Sequence, residues 1–70
     1  MRIEQLRKAV FREPFRPVVI TLRSGERFVV RDPESVLVHA TMCVALHGDR
    51  DFTLFGSRQV ASVRAARRVR

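Results

Sequence analysis

Residues 18–30 read VVITLRSGERFVV, two runs of alternating side chains joined by a Ser-Gly pair. Successive side chains of a strand point to opposite faces, so Val18, Ile20 and Leu22 share one face of the first run. Ser-Gly is a compact connector between two such runs. The sequence therefore predicts an antiparallel hairpin in the first half of the chain.

Short apolar runs continue after the hairpin. Asp32-Pro33-Glu34 interrupts the second strand because proline has no amide donor, so we expect that strand to bend or stop there and to resume at residues 36–38. Residues 42–46 are almost wholly apolar and predict a strand in the middle of a sheet. Residues 57–59 fit one tight helical turn. We expect strands at about 18–23, 26–38, 41–46, 51–55 and 60–65.

The segment before the hairpin has a helical period. Ile3, Leu6 and Val10 follow one another at offsets of three and four, which is one apolar stripe of a helix. Pro14 disfavours helical geometry at the residue before it. The spacing predicts a helix over residues 2–13.

One helix followed by five short strands predicts a mainly β fold. The strands are too few for a sandwich, and they favour a strongly bent, five-stranded antiparallel barrel of the SH3 type with the helix over one open end. Seventy residues leave room for one domain, which we place at residues 1–66, with a basic tail at 67–70. A domain this small has a thin core, so self-association is a plausible source of added stability.

The charge of the chain is concentrated at its two ends. The net charge is +7, from fourteen bases and seven acids. Residues 1–17 carry five bases and two acids, and residues 57–70 carry five bases and no acid, whereas the segments between them are close to neutral. A fold that brings the ends together would place most of the positive charge on one face.

Arginine supplies thirteen of the fourteen bases. Its guanidinium makes bidentate contacts with phosphate, which favours a polyanion as the partner. A preference for arginine over lysine is also typical of GC-rich coding sequence, and the composition does not separate the two interpretations. The candidate residues for phosphate contact are Arg12, Arg16, Arg58, Arg64, Arg67, Arg68 and Arg70.

The sequence carries no arrangement typical of catalysis, and we expect neither an enzyme nor a cofactor. His39, His47 and one cysteine lack the close ligand pairs of a zinc site, so we expect no metal. Cys43 lies in an apolar strand, where an inert buried thiol is the ordinary state. The single cysteine and the absence of a signal-peptide pattern favour the cytoplasm, and no apolar run is long enough to span a bilayer.

The order of these elements resembles that of the Sm-like family of RNA-binding proteins, of the Hfq type, in which a helix precedes a five-stranded bent barrel. The resemblance rests on the helix, the VVITLRSGERFVV hairpin, FTLF, the link SRQ and VASVRAA. The chain also resembles short bacterial proteins with a helix, a PFRP segment and an SGERF-like hairpin. The matching parts here are residues 13–17 and 22–28.

The Sm-like resemblance implies RNA binding and a homo-oligomer built by pairing strand edges. The seam would contain Phe52, Leu54, Phe55, Val60 and Val63. In Hfq-type proteins a Lys-His pair in the link before the last strand contacts uridine-rich RNA. Here that link is residues 57–59, in which only Arg58 is able to take the place of the pair.

Two other interpretations remain open from the sequence. The chain is also consistent with a protein interaction module or accessory subunit whose basic face docks an acidic partner. A third interpretation places the N-terminal helix on an anionic membrane, but its narrow apolar stripe and its lack of tryptophan disfavour this. RNA binding with weak base preference, through arginine-rich surfaces, is the function that the sequence favours.

Overall fold

The computed structural model of the chain describes residues 1–66 and is mainly β with one N-terminal helix. Within those residues there are six strands rather than five. In chain order the elements are α1 (Ile3–Val10), β1 (Val18–Leu22), β2 (Arg27–Val30), a 3₁₀ turn (Pro33–Ser35), β3 (Val36–His39), β4 (Met42–Leu46), β5 (Phe52–Gly56), a second 3₁₀ turn (Ser57–Gln59) and β6 (Val60–Ala65).

Helix α1 turns its apolar stripe inward. Leu6 and Val10 are buried, whereas Ile3 is half-buried against the same core. The helix ends at Val10, short of the predicted end at residue 13. Phe11 has already left helical geometry, with φ −103° and ψ 31°, and Pro14 disfavours helix at the residue before it.

The first sheet has the strand order β2-β1-β6, with both pairs antiparallel. The predicted hairpin is confirmed, and Val18 lies opposite Val30 on one side and Ala65 on the other. Gly25 has φ +96°, a left-handed conformation that glycine adopts without steric cost. Its N–H donates a 2.9 Å hydrogen bond to the carbonyl of Leu22, which closes the turn.

The second sheet has the order β3-β4-β5, again antiparallel. The predicted strand at 26–38 is therefore two strands in two different sheets. Asp32 caps the 3₁₀ turn between them, since its carboxylate accepts a 2.9 Å hydrogen bond from the N–H of Glu34, and Pro33 cannot donate to a ladder. The interruption expected from the sequence thus separates the two sheets.

The core lies between the inner faces of the two sheets and under the helix. Alternate residues of the strands point inward, and the half-buried Phe28 contacts Phe55 with 5.5 Å between ring centroids. The buried apolar side chains are Leu6, Val10, Val18, Ile20, Leu22, Val30, Val36, Cys43, Ala45, Phe55 and Val60.

The predicted five-stranded barrel is not what residues 1–66 form. Two sheets of three strands share one core, and the described ladders do not close them into a barrel. The predicted helical turn at residues 57–59 is confirmed as a 3₁₀ turn, and it carries the chain from β5 in the second sheet to β6 in the first. Strands β5 and β6 consequently each lie at the edge of a sheet.

Candidate nucleic-acid interface

The C-terminal end of β6 lies beside the segment that leaves the helix. Ala65 pairs with Val18, and the N–H of Ala66 donates a 3.0 Å hydrogen bond to the carbonyl of Pro17. Because β6 runs antiparallel to β1, its last residues reach the point where the chain enters the first sheet. This pairing brings the two basic ends of the chain together.

A cleft of about 340 Å³ opens between the helix, this segment and β6. Lys8 contributes from the last turn of α1, Arg12 and Arg16 from the segment that follows, and Arg64 from β6. All four side chains are exposed, and the side chains that line the cleft include no Asp or Glu. We call these four residues and the cleft between them the basic cleft.

The basic cleft has the chemistry of a phosphate-binding surface. Guanidinium groups donate paired hydrogen bonds to phosphate oxygens, and an ammonium acts as a compact positive charge. Ala9 and Val63 add apolar side chains to the lining between the bases. Contacts of this kind position a nucleic-acid backbone without reading its sequence.

The structure brings together only some of the residues predicted for phosphate contact. Arg12, Arg16 and Arg64 line the basic cleft, whereas Arg58 lies before the start of β6, at its other end. There the Nε of Arg23 donates a 2.9 Å hydrogen bond to the main-chain carbonyl of Arg58. The remaining predicted residues, Arg67, Arg68 and Arg70, lie outside the described residues.

Sequence reasoning did not place Lys8 at the site. Lys8 is in the last turn of α1, on the side away from the apolar stripe, and it joins the cleft because β6 packs near the helix end. Lys8 therefore belongs to the basic cleft only because of packing between parts of the chain that are distant in sequence. The sequence shows only that Lys8 is four residues before Arg12, and because α1 ends at Val10 this spacing does not make them neighbours on a helix.

The five residues predicted for an oligomer seam have different environments. Phe52 and Leu54 are exposed on β5, and Val63 is half-buried at the basic cleft. Phe55 and Val60 are buried in the core, so their side chains are not available to a partner. If another copy paired with a strand edge at Phe55 or Val60, only the main-chain groups of these residues would take part.

His47 and Cys43 have structural surroundings, whereas His39 is exposed at the end of β3. His47 Nε2 and Thr53 Oγ1 share a 2.8 Å hydrogen bond, and the His47 ring meets Phe28 edge-on at 5.0 Å. Cys43 is buried, and burial raises the pKa of its thiol, while the positive charge of Arg7 opposes that shift. Within residues 1–66 no three His, Cys, Asp or Glu side chains are grouped to hold a metal ion.

In the part of the chain that the structure describes, no helix is long and apolar enough to cross a bilayer. Comparison of the chain with protein-family models, with curated proteins and with solved structures found no match.

Proposed function

We propose that this protein binds RNA through the basic cleft, by contacts to phosphates and without strong base preference. The observation that carries the proposal is the convergence of Lys8, Arg12, Arg16 and Arg64 from two distant parts of the chain on one cleft without carboxylates. Basic side chains that serve only solubility do not have to lie close together. Phosphates spaced along a single strand give such a cluster several anions to contact.

The proposal makes the affinity strongly dependent on salt. Each phosphate neutralised by a base releases bound counterions, and for single strands the slope of log K against log salt is about −0.7 per contact. Four contacts give a slope of about −2.8. Bases outside the cleft add to this value only if they also touch phosphates.

The test is the affinity of the full chain for a short fluorescein-labelled single-stranded RNA, measured by anisotropy between about 50 and 200 mM salt. The variant Arg12→Gln/Arg64→Gln removes two cleft bases, so its salt slope falls by about 1.4 in magnitude. The matched control Arg27→Gln/Arg50→Gln removes the same charge from exposed positions outside the cleft. We expect this control to keep the original slope.

Equal slopes for the two double variants would contradict the proposal, because the loss would then follow total charge and not position. Absence of binding at low salt would end it. If poly-glutamate binds under those conditions and RNA does not, the protein is an interaction module for acidic partners. A third variant with Arg67, Arg68 and Arg70 changed to Gln measures how much the tail contributes to the RNA affinity and to its salt slope.

We also propose the Sm-like relationship as a hypothesis about assembly. It is supported by the order of the elements and by the positions of β5 and β6, which are edge strands within residues 1–66. An edge strand presents main-chain groups to which a further strand is able to pair. In that arrangement β5 of one copy pairs with β6 of the next. The sedimentation coefficient at micromolar concentration tests it, and a monomer would count against it.

A further inference from the structure

Apart from His39 at the end of β3, the outer face of the second sheet is apolar across all three strands. Directly opposed residues of an antiparallel ladder share a face, and Leu37, Val44 and Leu54 form one such row across β3, β4 and β5. No Asp, Glu, Lys or Arg lies on this side of the strands. We call the residues on this side the outer apolar face: Leu37, His39, Met42, Val44, Leu46, Phe52, Leu54 and Gly56.

The large side chains of this face are exposed to solvent. The exposed fractions are 58% for Leu37, 51% for Met42, 43% for Leu46, 57% for Phe52 and 59% for Leu54. At about 200 Å² for each large side chain, they present about 500 Å² of apolar surface. A patch of that size is in the upper part of the range for monomers, where it commonly marks an interaction site.

The outer face of the first sheet has the opposite character. Thr21 lies opposite Arg27 and Ser62, and Val19 lies opposite Arg64, so each of these rows includes a polar or charged side chain. Both outer faces have exposed side chains within residues 1–66, although Val19, Thr21 and Ser62 of the first sheet are half-buried. Polar and charged side chains are expected on a solvent-exposed face, as on the outer side of the first sheet. Solvent exposure does not explain the apolar side chains on the outer side of the second sheet.

We propose that two copies of this chain associate through their outer apolar faces. The chain carries a net charge of +7, so a second copy is repelled wherever bases meet, and this face brings no bases into contact. A polyanion or an acidic protein finds no opposite charge here. A second copy of the same face offers matching apolar side chains at the sheet-to-sheet spacing of about 10 Å.

The area sets the strength of the association. Two such faces bury about 1,000 Å², which is at the low end of specific interfaces and typical of weak, reversible contacts. We therefore expect a dimer that forms and dissociates with concentration. A small domain has a thin core, so even a weak dimer adds to its stability.

The contact leaves the basic cleft accessible. Leu6 and Val10 of α1 belong to the same core as Cys43 and Phe55, which point inward from the second sheet, so the helix is on the core side of that sheet. The outer apolar face points away from it. The dimer does not depend on RNA binding, and if RNA does bind, two clefts in one particle raise the avidity for a long strand.

The test is sedimentation velocity of the full chain over a range of protein concentrations up to about 1 mM, which detects contacts as weak as millimolar. We expect the wild type to shift from monomer to dimer. Leu37→Lys places a charge on the outer apolar face and should raise the dissociation constant at least about tenfold. Val29→Lys, at an exposed position on the first sheet, should leave it unchanged.

Leu37→Lys also separates this dimer from assembly through strand edges. Leu37 lies on β3, at the opposite edge of the second sheet from β5, so a β5–β6 contact would survive the substitution. A far-ultraviolet circular dichroism spectrum like that of the wild type shows that each variant is folded, and Leu54→Lys serves as a second variant. A wild type that stays monomeric throughout, or a dimer that persists in both lysine variants, overturns the proposal.

Discussion

The main-chain N–H of Ala66 donates a 3.0 Å hydrogen bond to the carbonyl oxygen of Pro17. This bond joins the end of β6 to the residue that precedes β1, so parts of the chain nearly fifty residues apart lie side by side. The sequence predicts that juxtaposing the two basic ends would concentrate the charge, and for the described residues the juxtaposition is confirmed. The basic cleft is its direct consequence.

Two glycines should respond to alanine in different ways. Gly25 has φ +96°, so Gly25→Ala forces an L-residue into a left-handed conformation at a cost of about 1–2 kcal/mol. Gly56 lacks a positive φ, and a methyl group there meets Gln59 Oε1 at an ordinary 3.7 Å. Gly56→Ala should therefore be neutral or slightly stabilising, because alanine restricts the unfolded chain. Urea unfolding of both variants measures the difference, and equal destabilisation would contradict it.

The same change at two valines should separate core from surface. Val10 of α1 is fully buried in the core, whereas Val29 is 39% exposed on β2. Val10→Ala removes buried carbon atoms and leaves a cavity, so we expect a loss of about 2 kcal/mol in the free energy of unfolding. Val29→Ala should cost only a small fraction of this. A similar loss for both variants would mean that α1 does not seal the core.

The contribution of the Asp32 cap to the free energy of unfolding should be measurable by a single substitution. Asp32→Ala removes the carboxylate that accepts from the Glu34 N–H at 2.9 Å, and losing a cap of this kind costs about 1 kcal/mol. Asp49→Ala removes the same charge from an exposed position in the loop before β5. Chemical denaturation of the two variants compares them. If Asp49→Ala proves as harmful as Asp32→Ala, the effect is one of net charge and not of capping.

Cys43 should make the protein less stable at alkaline pH. Burial raises the pKa of its thiol, and the charge of Arg7 opposes this. An unfolded cysteine has a pKa of about 8.5, so above that pH the unfolded chain releases a proton that the folded chain keeps. Stability is unaffected below this pH and falls as the pH rises toward the folded pKa.

The control for this prediction is Cys43→Ala, which loses some stability at every pH but also loses the alkaline slope. Thiol labelling with a disulfide reagent provides a second reading, since a buried thiol reacts only when the protein opens. A labelling rate equal to that of the unfolded chain, or the same alkaline slope in Cys43→Ala, would show that the thiol is not protected.

Local periodicity predicted where the helix and the strands lie, although α1 ends three residues earlier than predicted and residues 26–38 form two strands instead of one. The alternation in residues 18–30 predicted the hairpin, and the predicted last strand at 60–65 coincides with β6. The sequence also located the interruption at Pro33. It did not reveal that the halves on either side join different sheets, because that depends on which distant strands pair, such as Val18 with Ala65.

The exposed apolar side chains of the second sheet were harder to predict. Residues 42–46 form a continuous apolar run, which is typical of a strand buried on both faces. In the structure β4 is indeed the central strand, but only Cys43 and Ala45 point into the core. A run of this kind does not distinguish a buried face from one that a partner covers.

Only part of the basic cleft could be predicted from the sequence, because strand geometry decides which bases lie close together. Arg58 and Arg64 are close in sequence, but Arg58 lies in the 3₁₀ turn before β6 and Arg64 lies near the far end of that strand. The strand from Val60 to Arg64 alone spans about 13 Å. Arg64 instead lines one cleft with Arg12 and Arg16, which are about fifty residues earlier. Counting charge by segment identified the two ends, while strand pairing selected which bases converge.

The most direct test of the central claim is a map of backbone amide shifts in a ¹H–¹⁵N spectrum while a short single-stranded RNA is added at low salt. If the basic cleft holds phosphates, the largest shifts fall on residues 8–18 and 63–66, and they reverse when salt is added. Shifts spread evenly over the basic residues, or concentrated on the outer face of the second sheet, would contradict the account.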